Sequence, residues 1–225
     1  MNLLEKFVTI CYRAKGEDFH PYENYFAYTM TGAILMDLAS QDYIKIENGY
    51  LRLLKHSATD HPVYNMVIDQ IKNSKKERKL KSWISRIYQK NWRIKRDVLE
   101  ECNKRGLIRI ERKKFLNLIP YRKYKLNSTQ QRAELIRQMR DVALHNKEGN
   151  AELYSLLGLI HASQSYKAIA RDRGDERIVK KKVKQLINND LIGGAVDAVI
   201  QEVNVAIIAT IVASTTATVT SASSG

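Results

Sequence analysis

Three prolines, Pro21, Pro62 and Pro120, and ten glycines are all the strong breakers in 225 residues. Between them, apolar residues recur at spacings of three and four, the period of a helix with one packed face. The expectation is a mainly α chain: a single compact helical domain over residues 1–213 with short β-hairpins, one of them carrying an apolar tip. A Ser/Thr-rich flexible tail is expected at 214–225. A hydrophobic content of 44% suffices for a real core and excludes collagen-like, mucin-like and wholly disordered readings.

The periodicity resolves into elements. Residues 27–41 place Met30, Ala33, Ile34, Asp37 and Leu38 on one helical face. In YIKIENGYLRLL the apolar positions alternate around Asn48-Gly49, a dipeptide suited to the positive φ angles of a tight hairpin turn. KHSATDHP reads as a loop, and Pro62 precedes a helix with Val63, Met66, Val67 and Ile71 on one side. A helix follows with Leu80, Trp83, Ile84 and Ile87 inward, then another over 93–105 that ends at Gly106. Leu107–Ile110 and YRKYKL read as strands around an apolar tip, and Ser128 with Gln131 opens the next helix. Helices at about 150–163, 164–172, 175–189 and 194–213 complete the reading. VNVAIIATIVA in the last of these is too short for a span, which takes about 20 residues, and is expected to be a buried helix.

Charge is distributed unevenly. The net charge is +14, yet residues 1–71 carry 6 Lys/Arg against 9 Asp/Glu and residues 126–225 carry 12 against 10. Residues 72–125 carry 20 against 5 and hold all of the excess. Such a segment attracts polyanions: nucleic acid, anionic lipid headgroups or an acidic protein surface.

Familiar catalytic signatures are missing: there is no GxxxxGK[ST] loop, GxSxG elbow, HExxH pair or CxxC pair. No enzyme activity, cofactor or metal is expected. His56 and His61, beside Asp60, sit in a polar loop without a further ligand at readable spacing, and His161 reads as a hydrogen-bonded core histidine. Asp172, Asp175 and Glu176 read as a helix-capping turn. Cys11 and Cys102 allow at most one disulfide and cannot supply a four-ligand zinc site, which points to a reducing compartment. The opening MNLLEKFVTIC is broken by Glu5 and Lys6 and shows no leader cleavage pattern, so cytoplasmic residence is expected.

Two constellations remain. Trp92-Arg93-Ile94-Lys95-Arg96 puts an aromatic and three cations at a helix start whose exposed amides favour anions, a combination suited to a phosphate monoester. The bland reading makes Trp92 a core anchor and the cations surface charge. Phe115, Leu116, Leu118 and Ile119 form an apolar tip framed by Arg112-Lys113-Lys114 and Arg122-Lys123, which suits insertion at a lipid interface. Its bland reading is a hairpin folded on the core or used in self-association.

These same segments carry a resemblance. TGAILMDLASQDYIKIENGYLRL, KKERKLKSWISRI, RGLIRIERKKFLNLIPYRKYKL between two helices, and the Ala-rich ending after VKQLINNDLIGGAVDAV together resemble the Golgi phosphoprotein 3 family over nearly the whole chain. The resemblance implies a helical domain that binds phosphatidylinositol 4-phosphate through a basic pocket beside a hydrophobic β-hairpin. It also implies a peripheral membrane protein on the cytosolic face, at the Golgi in eukaryotes, that binds glycosyltransferase tails and forms homo-oligomers through the hairpin. The family's pocket tryptophan falls near Tyr22 and its pocket arginine on Thr31. Its paired arginines fall on Trp92 and Lys95 or, one residue on, Arg93 and Arg96. Thr31 departs from the family pattern, so anionic phospholipid is the broader expectation. The rival reading is a winged-helix-like nucleic-acid binder, against which Asp97, Glu100 and Glu101 on the exposed side of helix 93–105 would repel a duplex.

Overall fold

Asn2 opens the first helix, α1 (Leu3–Cys11), with a reciprocal capping box: its side chain accepts from the Glu5 amide, and Glu5 accepts from the Asn2 amide. Almost every residue of α1 is buried, so the segment that reads as an interrupted apolar opening is a core helix. The computed structural model describes residues 1–13, 18–19, 23–90, 93–116, 118–188 and 201–213. The tail expected at 214–225 lies outside the described residues, as do Tyr22 and Trp92.

A two-residue antiparallel pair, β1 (Tyr12–Arg13) and β2 (Asp18–Phe19), leads to α2 (Glu23–Ser40). Every residue of α2 from Phe26 to Leu38 is buried, and a helix enclosed on all sides needs no polar face. β3 (Ile44–Glu47) and β4 (Tyr50–Leu53) pair around the expected turn, Asn48 (φ 53°) and Gly49 (φ 74°), with Glu47 opposite Tyr50. α3 (Pro62–Lys72), α4 (Leu80–Lys90) and α5 (Ile94–Lys104) follow. The long hairpin β5 (Ile108–Phe115) and β6 (Ile119–Leu126) then precedes α6 (Thr129–His145), α7 (Ala151–Ala162) and α8 (Arg173–Asn188).

A ninth helical stretch, α9, covers 201–213. Its Val203, Ala206, Ile207 and Ile211 are buried, whereas Val205 and Val212 are exposed, so the helix expected to be buried packs on one face only. It lies against two glycines: a Cβ on Gly32 of α2 would stand 2.3 Å from Ile207 Cδ1, and one on Gly158 of α7 would stand 2.1 Å from Asn204 Nδ2. Among the described residues no helix is long and apolar enough to cross a membrane. One hydrophobic cluster runs from Leu3 to Ile211.

The helix expected at 164–172 is a correction: only a 3-10 turn, Tyr166–Ala168, forms there. Gln164 adopts φ 55°, and the Ser163 hydroxyl donates to the Leu159 carbonyl and pairs with the Ser165 hydroxyl at 2.8 Å. Short serine side chains bonding locally end α7 and compete with a new helix.

A buried polar group fastens α1 to this core. Asp37, on the packed face of α2, accepts from the Leu3 and Leu4 amides at 3.0 Å each and from the Tyr64 hydroxyl at 2.5 Å. A carboxylate from another helix thus satisfies amides that a helix start leaves without partners.

Candidate functional site: a cationic corner and a projecting hairpin

α4 and α5 turn their apolar stripes inward, burying Leu80, Trp83, Ile84 and Ile87 on one and Ile94, Val98, Leu99 and Cys102 on the other. Their cations are left on the outer surfaces and at the corner between them. Arg93 is exposed at the N-cap of α5. Lys95 is half-buried, with its Nζ 5.9 Å from the centre of the Phe26 ring in the first turn of α2. Phe26 stacks on Phe19 of β2 (5.5 Å between centroids, 17° between planes), and Phe19 meets Tyr124 of β6 edge-on at 5.2 Å. Tyr28 of α2 and Tyr88 of α4 approach to 4.5 Å. An aromatic column therefore joins the start of α2, β2 and the base of the long hairpin, with Lys95 from the start of α5 beside it. Two helix starts add partial positive charge to the corner.

The sequence-derived headgroup residues separate in this frame. Lys95 is at the aromatic column. Arg96 is exposed and donates through Nε and Nη2 to Asp97 Oδ1 at 3.2 Å each. Thr31 is fully buried, and its hydroxyl donates to the Ala27 carbonyl at 3.0 Å, so it presents no group at the surface. Tyr22 immediately precedes α2 in sequence, and Trp92 lies two residues before α5.

The long hairpin pairs without a bulge from Ile108↔Leu126 to Phe115↔Ile119. Its base is held by buried Ile108, by half-buried Leu126 and Tyr124, and by the Ile110 amide donating to Asn103 Oδ1 at 3.0 Å. At its far end Leu116 is 76% exposed, Leu118 81% and Ile119 62%. Leu116 also holds φ 48°, a backbone region that a bulky side chain rarely adopts. Phe115 closes the last rung of the ladder; its side chain and Asn117 lie outside the described residues.

Between tip and base the strands carry seven Lys/Arg and one acid, Glu111. Glu111 accepts from Lys125 at 2.7 Å and pairs with Lys113 at 3.3 Å, and the two lysines hold its carboxyl below the usual range. Across the ladder Arg112 faces Arg122, and both pair with Glu100 of α5, at 3.8 and 3.0 Å. Glu101 is buried and bonds Arg105 at 3.0 Å. The acids expected on an open face of α5 are thus tied to arginines.

Sequence reasoning missed two features. Arg105 joins α5, α1 and the 54–61 loop by pairing with Glu101, Glu5 (3.6 Å) and Asp60 (3.3 Å). Beside it His61 is buried and stacked on Tyr64 at 4.2 Å, although KHSATDHP reads as a polar loop. The second is a cationic groove on the outer side of α4, which the charge count included without resolving. The i, i+3, i+4, i+7 spacing of Ser82, Ser85, Arg86 and Gln89 was the available signal. His161 matches its expectation, its Nδ1 lying 2.7 Å from the Tyr166 hydroxyl. Asp172 caps the start of α8 by accepting from the Asp175 amide.

Fold and surface together define a class: a mainly helical protein with a cation-rich corner and a projecting hairpin that ends in exposed apolar side chains. The chain belongs to the Golgi phosphoprotein 3 (GPP34) family, whose family model matches residues 3–203. That span begins at α1, includes the corner and hairpin, and ends in α9. No curated protein matches the chain.

Proposed function

We propose that this protein is a non-catalytic peripheral membrane adaptor that docks on anionic phospholipid, with phosphatidylinositol 4-phosphate as the headgroup. The observation that carries this reading is the hairpin tip, where three aliphatic side chains stand in water on an arm lined with cations. Fully burying such a side chain gains roughly 1.5–3 kcal/mol. Each cation near an anionic leaflet adds about 1 kcal/mol. Neither signal alone anchors a protein stably, and the hairpin offers both.

The headgroup would lie at the corner beside the hairpin base. There Lys95 and Arg93 supply charge, with Arg96 at the rim and Tyr22 and Trp92 flanking in sequence. Family membership supports this choice of lipid, a site on the cytosolic face of the Golgi in a eukaryotic source, and glycosyltransferase tails as protein partners.

Vesicle flotation tests the reading, comparing phosphatidylinositol 4-phosphate with phosphatidylserine at matched surface charge. Leu118→Asp and Leu116→Asp are expected to weaken binding to both vesicles by at least about tenfold, the equivalent of 1.4 kcal/mol. Lys95→Gln is expected to remove the preference for the phosphoinositide. Undiminished flotation of both tip variants would overturn the membrane reading.

A further inference from the structure

The outer side of α4 carries a second cationic feature, separate from the corner and the hairpin. Ser82, Ser85, Arg86 and Gln89 share the helical face opposite the buried Leu80, Trp83, Ile84 and Ile87, and Arg78 and Lys81 join them from the N-terminal end. These six residues line a groove of ≈ 320 Å³. None of them is acidic, and all carry hydrogen-bond donors.

Arg78 and Arg86 are half-buried, so their stems are held against the protein rather than loose in solvent. Their Nε atoms are shielded from solvent without a hydrogen-bond partner among the described residues. The lining brings three cations, Arg78, Lys81 and Arg86, into one groove with no carboxylate among its six residues. With Nε shielded, the Nη ends of the two guanidinium groups are the donors for the oxygens of a phosphate, and the serine hydroxyls can donate to the same oxygens. The backbone beneath is fixed by the β-bridge between Lys79 and Tyr50 and by the Leu80 amide donating to the Gly49 carbonyl at 2.7 Å.

We infer that this groove is a binding site for a phosphate group, carried either by a lipid headgroup or by a soluble phosphate ester. Its volume exceeds that of a single phosphate and lies at the small end of ligand pockets, which begin near about 300 Å³. The ligand class is therefore a compact, multiply charged phosphate ester rather than a nucleic-acid duplex.

Calorimetric titration of the full chain with inorganic pyrophosphate, beside flotation on phosphatidylcholine vesicles containing phosphatidic acid, tests the assignment. Arg78→Gln combined with Arg86→Gln is expected to weaken whichever probe binds by about tenfold or more. Ser85→Glu, which puts a carboxylate at a half-exposed position, should do the same, and unchanged far-ultraviolet circular dichroism confirms folding of each variant. Pyrophosphate binding that the groove substitutions weaken supports a soluble ester, and vesicle binding alone that they weaken supports a headgroup. Leu118→Asp should leave pyrophosphate binding intact, so failure of the hairpin reading is separable from failure of this one. Equal binding by wild type and groove variants, or no binding of either probe by wild type, would overturn the site.

Discussion

His61 shows how one buried side chain sets a pH limit. Burial lowers its pKa, and the neighbouring Arg105 lowers it further, while Glu101, Glu5 and Asp60 act in the opposite sense. In the unfolded chain a histidine titrates near about 6.5, so below that pH the unfolded state takes up a proton that the folded state refuses. His61 therefore costs no stability above that range, and stability is lost as pH falls through it. The urea midpoint is expected to fall between pH 7 and 5, and His61→Gln should flatten the fall. An unchanged slope in the variant would assign it elsewhere, for example to His161, whose pKa burial also lowers. Asp37 has the opposite sign: burial raises its carboxyl pKa, so its contribution declines as pH rises from its unfolded value through its folded one. Periodicity put Asp37 on a packed face but could not show what it packs on, because its partners Leu3, Leu4 and Tyr64 come from other elements. Thr31 was misleading for the same reason. The position matched a family arginine, but only the surrounding helices reveal that it is enclosed.

Elements were legible in proportion to how local their causes are. Asn48-Gly49 fixes its own hairpin through backbone angles, and the turn was placed on the two residues that form it. The helix ending near Gly106 was placed almost as closely, since Gly106 takes φ 73° just past α5. α1 escaped because Glu5 and Lys6 break its short apolar run; the Asn2–Glu5 spacing was the remaining signal. The docking of α9 depends on glycines far away in the chain, and this gives a test. Gly158→Ala would drive a methyl group onto the enclosed Asn204 amide, with an expected cost of about 1–3 kcal/mol. Asn204 has no hydrogen-bond partner for either side-chain polar atom among the described residues. Asn204→Ala should therefore recover most of the loss in the double variant, read as melting temperatures in a double-mutant cycle. Equal destabilisation of the single and double variants would mean that α9 does not pack on α7 in this way.

For the molecule as a whole, the basic segment found by counting is the run α4–α5–β5–β6, and its cations separate into a groove, a corner and an arm. Sequence gave their number but not this division, which depends on which carboxylates reach them from α5 and from within the hairpin. The exposed tip has a further consequence in water, since apolar ends of this kind favour pairing. Sedimentation at rising concentration is expected to show dimers or larger species for wild type and monomer for Leu118→Asp. A monomeric wild type would remove self-association through the tip. The arm also sets a limit on crowding. Two strands and a three-residue turn claim little area on any surface they enter, whereas a 225-residue body has a radius of gyration of about 17 Å if compact. Coverage would saturate when the bodies collide, long before the lipids beneath are used up, so the density of this protein on a surface would report its own girth.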